Sequence, residues 1–281
     1  MDFEQLAKIE NESERVNRAY DIFNEDARLN HSKAARVEFL TTAYYIEKYL
    51  KEGDKILDIG AGAGEYSLYF ARKGYEVWAL ELADANIAAF KKKIAPEDRI
   101  DLVQGNALDL SRYADSSFDV VLLLGPLYHL KKDEDKHRCI SEAKRVCKDG
   151  GKIFFAFISN DFVFLTEFGY DIHYFGNGDY DHETFKLHDF PFVSHTVDAA
   201  RKVLAGGGIN ILHEVASDGA SELLAARINE MSDADYGQYL RYHFYICEKP
   251  ELLGMTNHLL FVGEKNGCRS DMDRMEAGCQ P

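Results

Sequence analysis

Asp58, Gly60, Gly62 and Gly64 stand in the spacing D-x-G-x-G-x-G, and Glu81 follows 17 residues after the last of these glycines. Three glycines in five residues let the backbone turn without Cβ clashes and approach a ligand closely. The helical composition from Glu65 onward would aim free N–H groups at that ligand. A dinucleotide fingerprint needs glycines as G-x-G-x-x-G, and here its last position falls on Glu65. Asp58, just ahead of the turn, suits a ligand with a cationic end better than a pyrophosphate. Glu81 can accept both hydroxyls of a ribose, as an acid in the analogous place does in dinucleotide-binding folds. Together these residues ask for an adenosine-type ligand that also carries positive charge.

The elements that must hold them begin with a strand at 55–59 running into the glycine turn and a helix at 65–73. A strand at 76–82 and a helix at 85–94, closed before Pro96, come next. A third strand at 100–104 leads to Asn106 and Ala107, and 118–124 (FDVVLLL) is a continuous apolar run of the kind buried on both faces of a parallel sheet. An amphipathic helix at 134–148 carries Cys139, Ile140, Ala143, Val146 and Cys147 on one face; Gly150-Gly151 caps it, and 152–159 is a fifth strand. This alternation predicts right-handed crossovers and an α/β, doubly wound sheet. After Asn160 the pattern breaks: 161–194 holds seven Phe and three Tyr without a sustained period and reads as a lid-like insertion. Order resumes with a helix at 196–204, a strand at 209–215, helices at 221–231 and 235–246, and a last strand at 258–264. Residues 1–50 read as an N-terminal helical cap, 51–265 as the main domain and 266–281 as a polar tail.

The glycine motif, with an acid at the end of the next strand, resembles the opening motifs of class I S-adenosylmethionine-dependent methyltransferases. The resemblance covers about residues 50–265 and is strongest over 55–159. It implies a Rossmann-like, mostly parallel sheet of seven strands, the last inserted antiparallel between the fifth and sixth. It also implies S-adenosyl-L-methionine as cofactor, with Asp58, Gly60, Ala61, Gly62 and Gly64 around its methionine end and Glu81 with Leu82 at the ribose. Asn106 and Ala107 would meet the adenine; Leu124 and Gly125 would lie along the methionine part. Members of the family usually place an Asp where Asn106 stands, so the adenine would meet an amide with both an acceptor and a donor, and Asp109 is the fallback acid. Tyr128 and His129 are the polar groups implied nearest the reacting methyl. From the cap, Tyr20, Arg28, His31 and Arg36 are candidates to reach the site. Phe162, Phe164, Phe168, Tyr170 and Tyr174 are candidates to line an acceptor pocket under the insertion.

Composition bounds the acceptor. Apolar residues make up 46 % of the 281, which is globular, and 33 basic against 48 acidic residues leave a formal charge of −15. Such a surface repels phosphate backbones; the basic clusters Lys91 to Lys93 and Lys131-Lys132 read first as solvated ends. Gly125-Pro126-Leu127-Tyr128 stands where the Asn/Asp-Pro-Pro-Tyr motif of base and amide methylation would be, which lowers the nucleic-acid reading further. A small-molecule acceptor is therefore the leading expectation. The alternatives are a protein side chain or RNA, a binding module on the same fold without turnover, and an NAD-dependent enzyme. Five scattered cysteines show no metal-type spacing, and Asp179, Asp181, His182 and His188 form a loose, solvated cluster, so no metal is expected. No signal peptide and no spanning segment is read, so the expected compartment is the cytoplasm, with oligomeric state open.

Overall fold

The structure, a computed structural model, describes residues 3–23 and 25–265. Asn24 and the expected tail 266–281, with Cys268 and Cys279, lie outside the described residues. Strands β1 (Lys55–Ile59), β2 (Glu76–Glu81), β3 (Ile100–Gln104), β4 (Phe118–Leu123), β5 (Cys147–Ser159), β6 (Ser194–His195), β7 (Ile209–Ala216) and β8 (His258–Lys265) form one sheet. Its order is β3-β2-β1-β4-β5-β8-β7, with β6 paired to the end of β5 off that path. All neighbours are parallel except β8, which runs antiparallel to both β5 and β7. The mostly parallel doubly wound sheet is thus as expected, but the strand count is eight, because the two-residue β6 gave no periodic signal.

Helices α1 (Phe3–Ala7), α2 (Glu12–Ala19) and α3 (Arg36–Glu47) precede the sheet, and α4 (Glu65–Arg72), α5 (Asp84–Lys93), α6 (Asp133–Val146), α7 (Val163–Tyr170), α8 (Tyr174–Asn177), α9 (Val197–Gly206), α10 (Ala225–Asn229) and α11 (Asp233–Ile246) cross or follow it. Alternate residues of the central strands go to opposite faces, as a period of two requires. Leu57, Val121, Leu123, Phe155 and Phe157 pack with α6 and α9 on one side. Ile56, Val120, Leu122 and Phe154 pack with α3 and α4 on the other. Each such fully buried side chain contributes about 1.5–3 kcal/mol. Among the described residues no helix is long and apolar enough to cross a membrane.

Three local expectations give way. Gly150-Gly151 do not cap α6, which ends at Val146 with Cys147 already in β5. They lie where β5 bulges: Cys147 faces Phe118 and Lys152 faces Val120, so three extra residues are looped out. A Cβ on Gly151 would come 2.7 Å from the Asp119 carbonyl, which is why glycine stands there. The 161–194 segment is not structureless, since it carries α7, α8 and a bridge between Tyr180 and Leu187. In place of one helix over 221–231 there is only α10.

A chain of charges fastens the cap to the far edge of the sheet. Arg28 donates from Nε to Glu25 at 2.8 Å and from Nη1 to Glu38 on α3 at 2.7 Å. Glu38 stands 3.4 Å from His258 Nδ1 at the start of β8, and the same nitrogen lies 2.9 Å from Asp218. The other oxygen of Asp218 accepts the amides of Asn257 and His258 and the Thr256 hydroxyl. Burial pulls the His258 pKa down, but Glu38 and Asp218 outweigh it and lift it to about 9. Because the folded value exceeds the unfolded value of about 6.5, this stabilisation is complete below pH 6.5 and is lost as pH rises through 9. Urea titrations of the wild type and His258→Gln over pH 5.5–10 should show the wild-type advantage shrinking by on the order of 2–3 kcal/mol across that window. A constant difference would mean that His258 does not carry the charge that closes this chain.

Candidate active site

One cavity, about 1020 Å³ with its mouth, opens where the C-terminal ends of β1 to β4 meet the cap. A doubly wound sheet places its ligand crevice there, because crossovers to opposite faces diverge at that edge. Asp58, Gly60, Ala61 and Gly62 line it from the turn after β1, Glu81 and Leu82 from β2, Asn106 and Ala107 from the turn after β3, and Leu124, Gly125, Tyr128 and His129 from beyond β4. Gly64 does not line it. That glycine has φ +87°, and a Cβ there would lie 2.3 Å from the Phe90 ring, so it serves the packing of α4 on α5.

The turn offers close approach more than donors. The amides of Gly60 and Ala61 bond the Leu80 carbonyl, that of Gly62 bonds Glu81 at 2.7 Å, and that of Gly64 bonds Ala61. The first three of these amides stitch the turn to β2 and the fourth closes the turn on itself, so none of the four is free to face a ligand. Gly60 has φ +73° and Gly62 φ +55°; a Cβ on Gly60 would strike Pro126 at 2.8 Å.

Two buried carboxylates dominate the electrostatics. Asp58, 2 % exposed, receives one hydrogen bond, from Ser67 at 2.6 Å. Burial, with the charge of Glu81 adding to it, raises its pKa to about 7 against the lowering effect of Ser67. Among the described residues no basic side chain pairs with it, so a cation entering the cavity would find an acid lacking its counter-charge. Burial also raises Glu81, although it accepts the amides of Gly62 and Ala83 and the Asn86 side chain at 3.3 Å. With three of about four lone-pair sites used, Glu81 as it stands can accept one further hydrogen bond, and a second only if the long Asn86 bond yields.

The cap closes over this edge. Ser13 accepts a hydrogen bond from the Asn106 amide at 2.9 Å, while the Asn106 carbonyl accepts the Leu108 amide. Glu25 lies over the turn, its Cγ 3.3 Å from where a Gly62 Cβ would be, and Arg28 and Tyr66 complete that wall. Tyr20 reaches in from the end of α2, and its hydroxyl lies 2.9 Å from His129 Nε2. Burial pushes His129 down to about 3 and Tyr20 well up, so imidazole and phenol are both neutral at pH 7. Ser13 and Glu25 escaped sequence reasoning because nothing local distinguishes a polar helix residue that meets a distant strand end from one that meets water.

The remaining candidates lie elsewhere. Arg36 is exposed on a separate surface depression beside Phe39 and Tyr69, and His31 bonds backbone carbonyls of its own loop. Asp109 borders a shallow surface hollow with Arg138 and Arg145. Phe162 and Phe164 are buried, Phe164 against Tyr174, Tyr180 and Phe175, so they form the insertion's own core. Phe168 and Tyr170 point outward. The insertion touches the site through Phe192 alone of its aromatic residues with a described ring contact there: its ring packs on Tyr128, His129 and Phe23. Glu38, Asp218 and His258 have ligand atoms within 4.8 Å of one another, but Arg28 sits on the Glu38 oxygen and the His258 proton lies between the two acids. These residues are joined as ion pairs.

Comparison with known proteins matches this edge of the sheet. A family model described as a methyltransferase domain covers residues 57–155. The chain is 31 % identical over 121 residues to a demethylmenaquinone methyltransferase of Clavibacter sepedonicus, covering 43 % of this chain and 48 % of that protein. It is 34 % identical over 110 residues to the 27-O-demethylrifamycin SV methyltransferase of Amycolatopsis mediterranei, covering 37 % and 38 %. The chain thus spans about half the length, or less, of these curated relatives. The fold as a whole is shared with geranyl diphosphate C-methyltransferase from Streptomyces coelicolor A3(2), at TM-score 0.57 and 13 % identity over 91 % of this chain and 98 % of that one. The family match lies on the glycine turn and the strand ends that border the cavity: residues 57–155 match a methyltransferase domain, and the fold around them is that of an S-adenosylmethionine-dependent methyltransferase.

Proposed function

We propose that this protein transfers a methyl group from S-adenosyl-L-methionine to a small-molecule acceptor. The observation that carries the reading is the meeting of Asp58, the glycine turn, Glu81 and Asn106 around one cavity whose other end holds the Tyr20–His129 pair. When bound, the cofactor supplies an electrophilic methyl on a good leaving group. Asp58 holds the charge that faces the cationic amino-acid end, Glu81 binds the ribose, and Asn106 with Ala107 borders the adenine. Leu124 and Gly125 lie along the methionine part. Gly60, Ala61 and Gly62 set how closely the backbone approaches.

Alignment and exclusion of water are the main tasks left to the protein, and the cap performs both by covering the cavity. The Tyr20 hydroxyl and the neutral imidazole of His129 form a hydrogen-bonded pair that orients a polar acceptor at that end of the cavity. Tyr128, buried beside them, fixes the imidazole by ring contact at 5.0 Å. Five carboxylates line the cavity against one arginine, and that arginine is already paired, so the acceptor enters neutral or cationic. The formal charge of −15 speaks against RNA, and the two relatives named above carry small-molecule acceptors in their names.

Calorimetric titration with S-adenosylhomocysteine should give one site, and Glu81→Gln should weaken it by about 10- to 100-fold, as loss of a charged hydrogen-bond partner does. Saturable binding of NADH with none of S-adenosylhomocysteine would overturn the reading. In a metabolite screen for radiolabelled methyl incorporation, Tyr20→Phe and His129→Ala should lower kcat by about 10², as misplacement of the acceptor does, while leaving S-adenosylhomocysteine affinity within about threefold. Unchanged turnover in both variants would remove the pair from the reaction.

A further inference from the structure

The insertion that fails to roof the cavity presents an apolar face to solvent. Leu165, Phe168, Tyr170, Ile172 and Phe175 are each between 43 % and 75 % exposed, and Leu223 joins them at 43 %. They form one patch. Leu165 and Phe168 are three apart on α7 and share a face, Phe168 and Phe175 have ring centroids 5.4 Å apart, and Leu223 comes 3.6 Å from the Cβ position of Gly169. A contiguous exposed patch of aromatic and branched side chains marks an interaction site more often than a free surface.

Charge identifies the kind of partner. Glu167 and Glu222 border the patch, with Tyr170 donating its hydroxyl to Glu222 at 3.1 Å. Burial, and then the charge of Glu222, raises the Glu167 pKa, and among the described residues no basic side chain pairs with either acid. The whole 161–194 segment holds seven acidic residues and one lysine, and that lysine is bound to Asp189 and Ser194. A second copy of the chain, with the same acids and a formal charge of −15, would be repelled, as would an anionic lipid surface. We propose that this face docks a basic amphipathic segment of another protein, its apolar side on Phe168, Ile172 and Phe175 and a lysine or arginine between Glu167 and Glu222. The surface lies apart from the cavity and does not depend on the acceptor's identity.

The probe is a labelled synthetic peptide of leucine and lysine that forms an amphipathic helix, with its leucine and glutamate counterpart as control, followed by fluorescence anisotropy. The lysine peptide should bind, the glutamate peptide should not, and affinity should fall as salt is raised. Ile172→Ser and the double variant Glu167→Gln with Glu222→Gln should each weaken binding by about tenfold or more, with S-adenosylhomocysteine affinity and far-ultraviolet dichroism unchanged as controls for folding. Equal affinity of both variants and the wild type would place the peptide elsewhere on the acidic surface and overturn the proposal. So would binding to vesicles of phosphatidylcholine with phosphatidylserine, or a dimer in sedimentation that Ile172→Ser dissolves.

Discussion

Two carboxylates buried at the ends of adjacent strands constrain everything around the cavity. Burial raises the pKa of both Asp58 and Glu81, with the charge of Glu81 adding to the rise at Asp58, and a charge held away from water requires a partner. Glu81 finds part of its compensation in the Gly62 amide, and this bond is what clamps the glycine turn onto β2. Among the described residues Asp58 finds only Ser67. The same geometry that builds the turn therefore leaves a buried acid without a counter-charge at the crevice, and a cationic ligand end would favour its ionised form.

The cap answers to the same electrostatics. Beside Val16 and Leu29 it brings Ser13, Tyr20, Glu25 and Arg28 to the cavity, these four each tied to a fixed group on the sheet side or to another cap residue. Arg28 reaches Glu38, and Glu38 reaches the His258–Asp218 pair at the far edge. Opening the cavity means disturbing a line of alternating charges that crosses from the first β-strand's ligand edge to the last strand. Polar contacts of this kind can break and re-form without exposing a hydrophobic core, which suits an element that must let ligands pass.

The insertion divides its labour. Its buried rings, Phe164 and Tyr180 among them, make a small aromatic core of their own, and its end sends Phe192 back to His129. Its outer face keeps Phe168, Tyr170 and Ile172 largely in water.

Much was legible in the residues themselves. Buried parallel strands need apolar runs on both faces, and FDVVLLL at 118–124 can be little else; three glycines after a strand announce a turn, and positive φ at Gly60, Gly62 and Gly64 is what they supply. The positions after successive strands then had to share one edge, because a right-handed crossover allows no other arrangement. What the sequence could not express was any pairing between segments with no common period. It had no way to say that Ser13 meets Asn106, that Glu25 overlies Gly62, that Phe192 rather than Phe162 touches the site, or that Gly64 serves Phe90. Local chemistry determined the strands, the turn and the ligand class; only the packing of remote segments, settled by the whole chain at once, decided which side chains close the cavity and which face water.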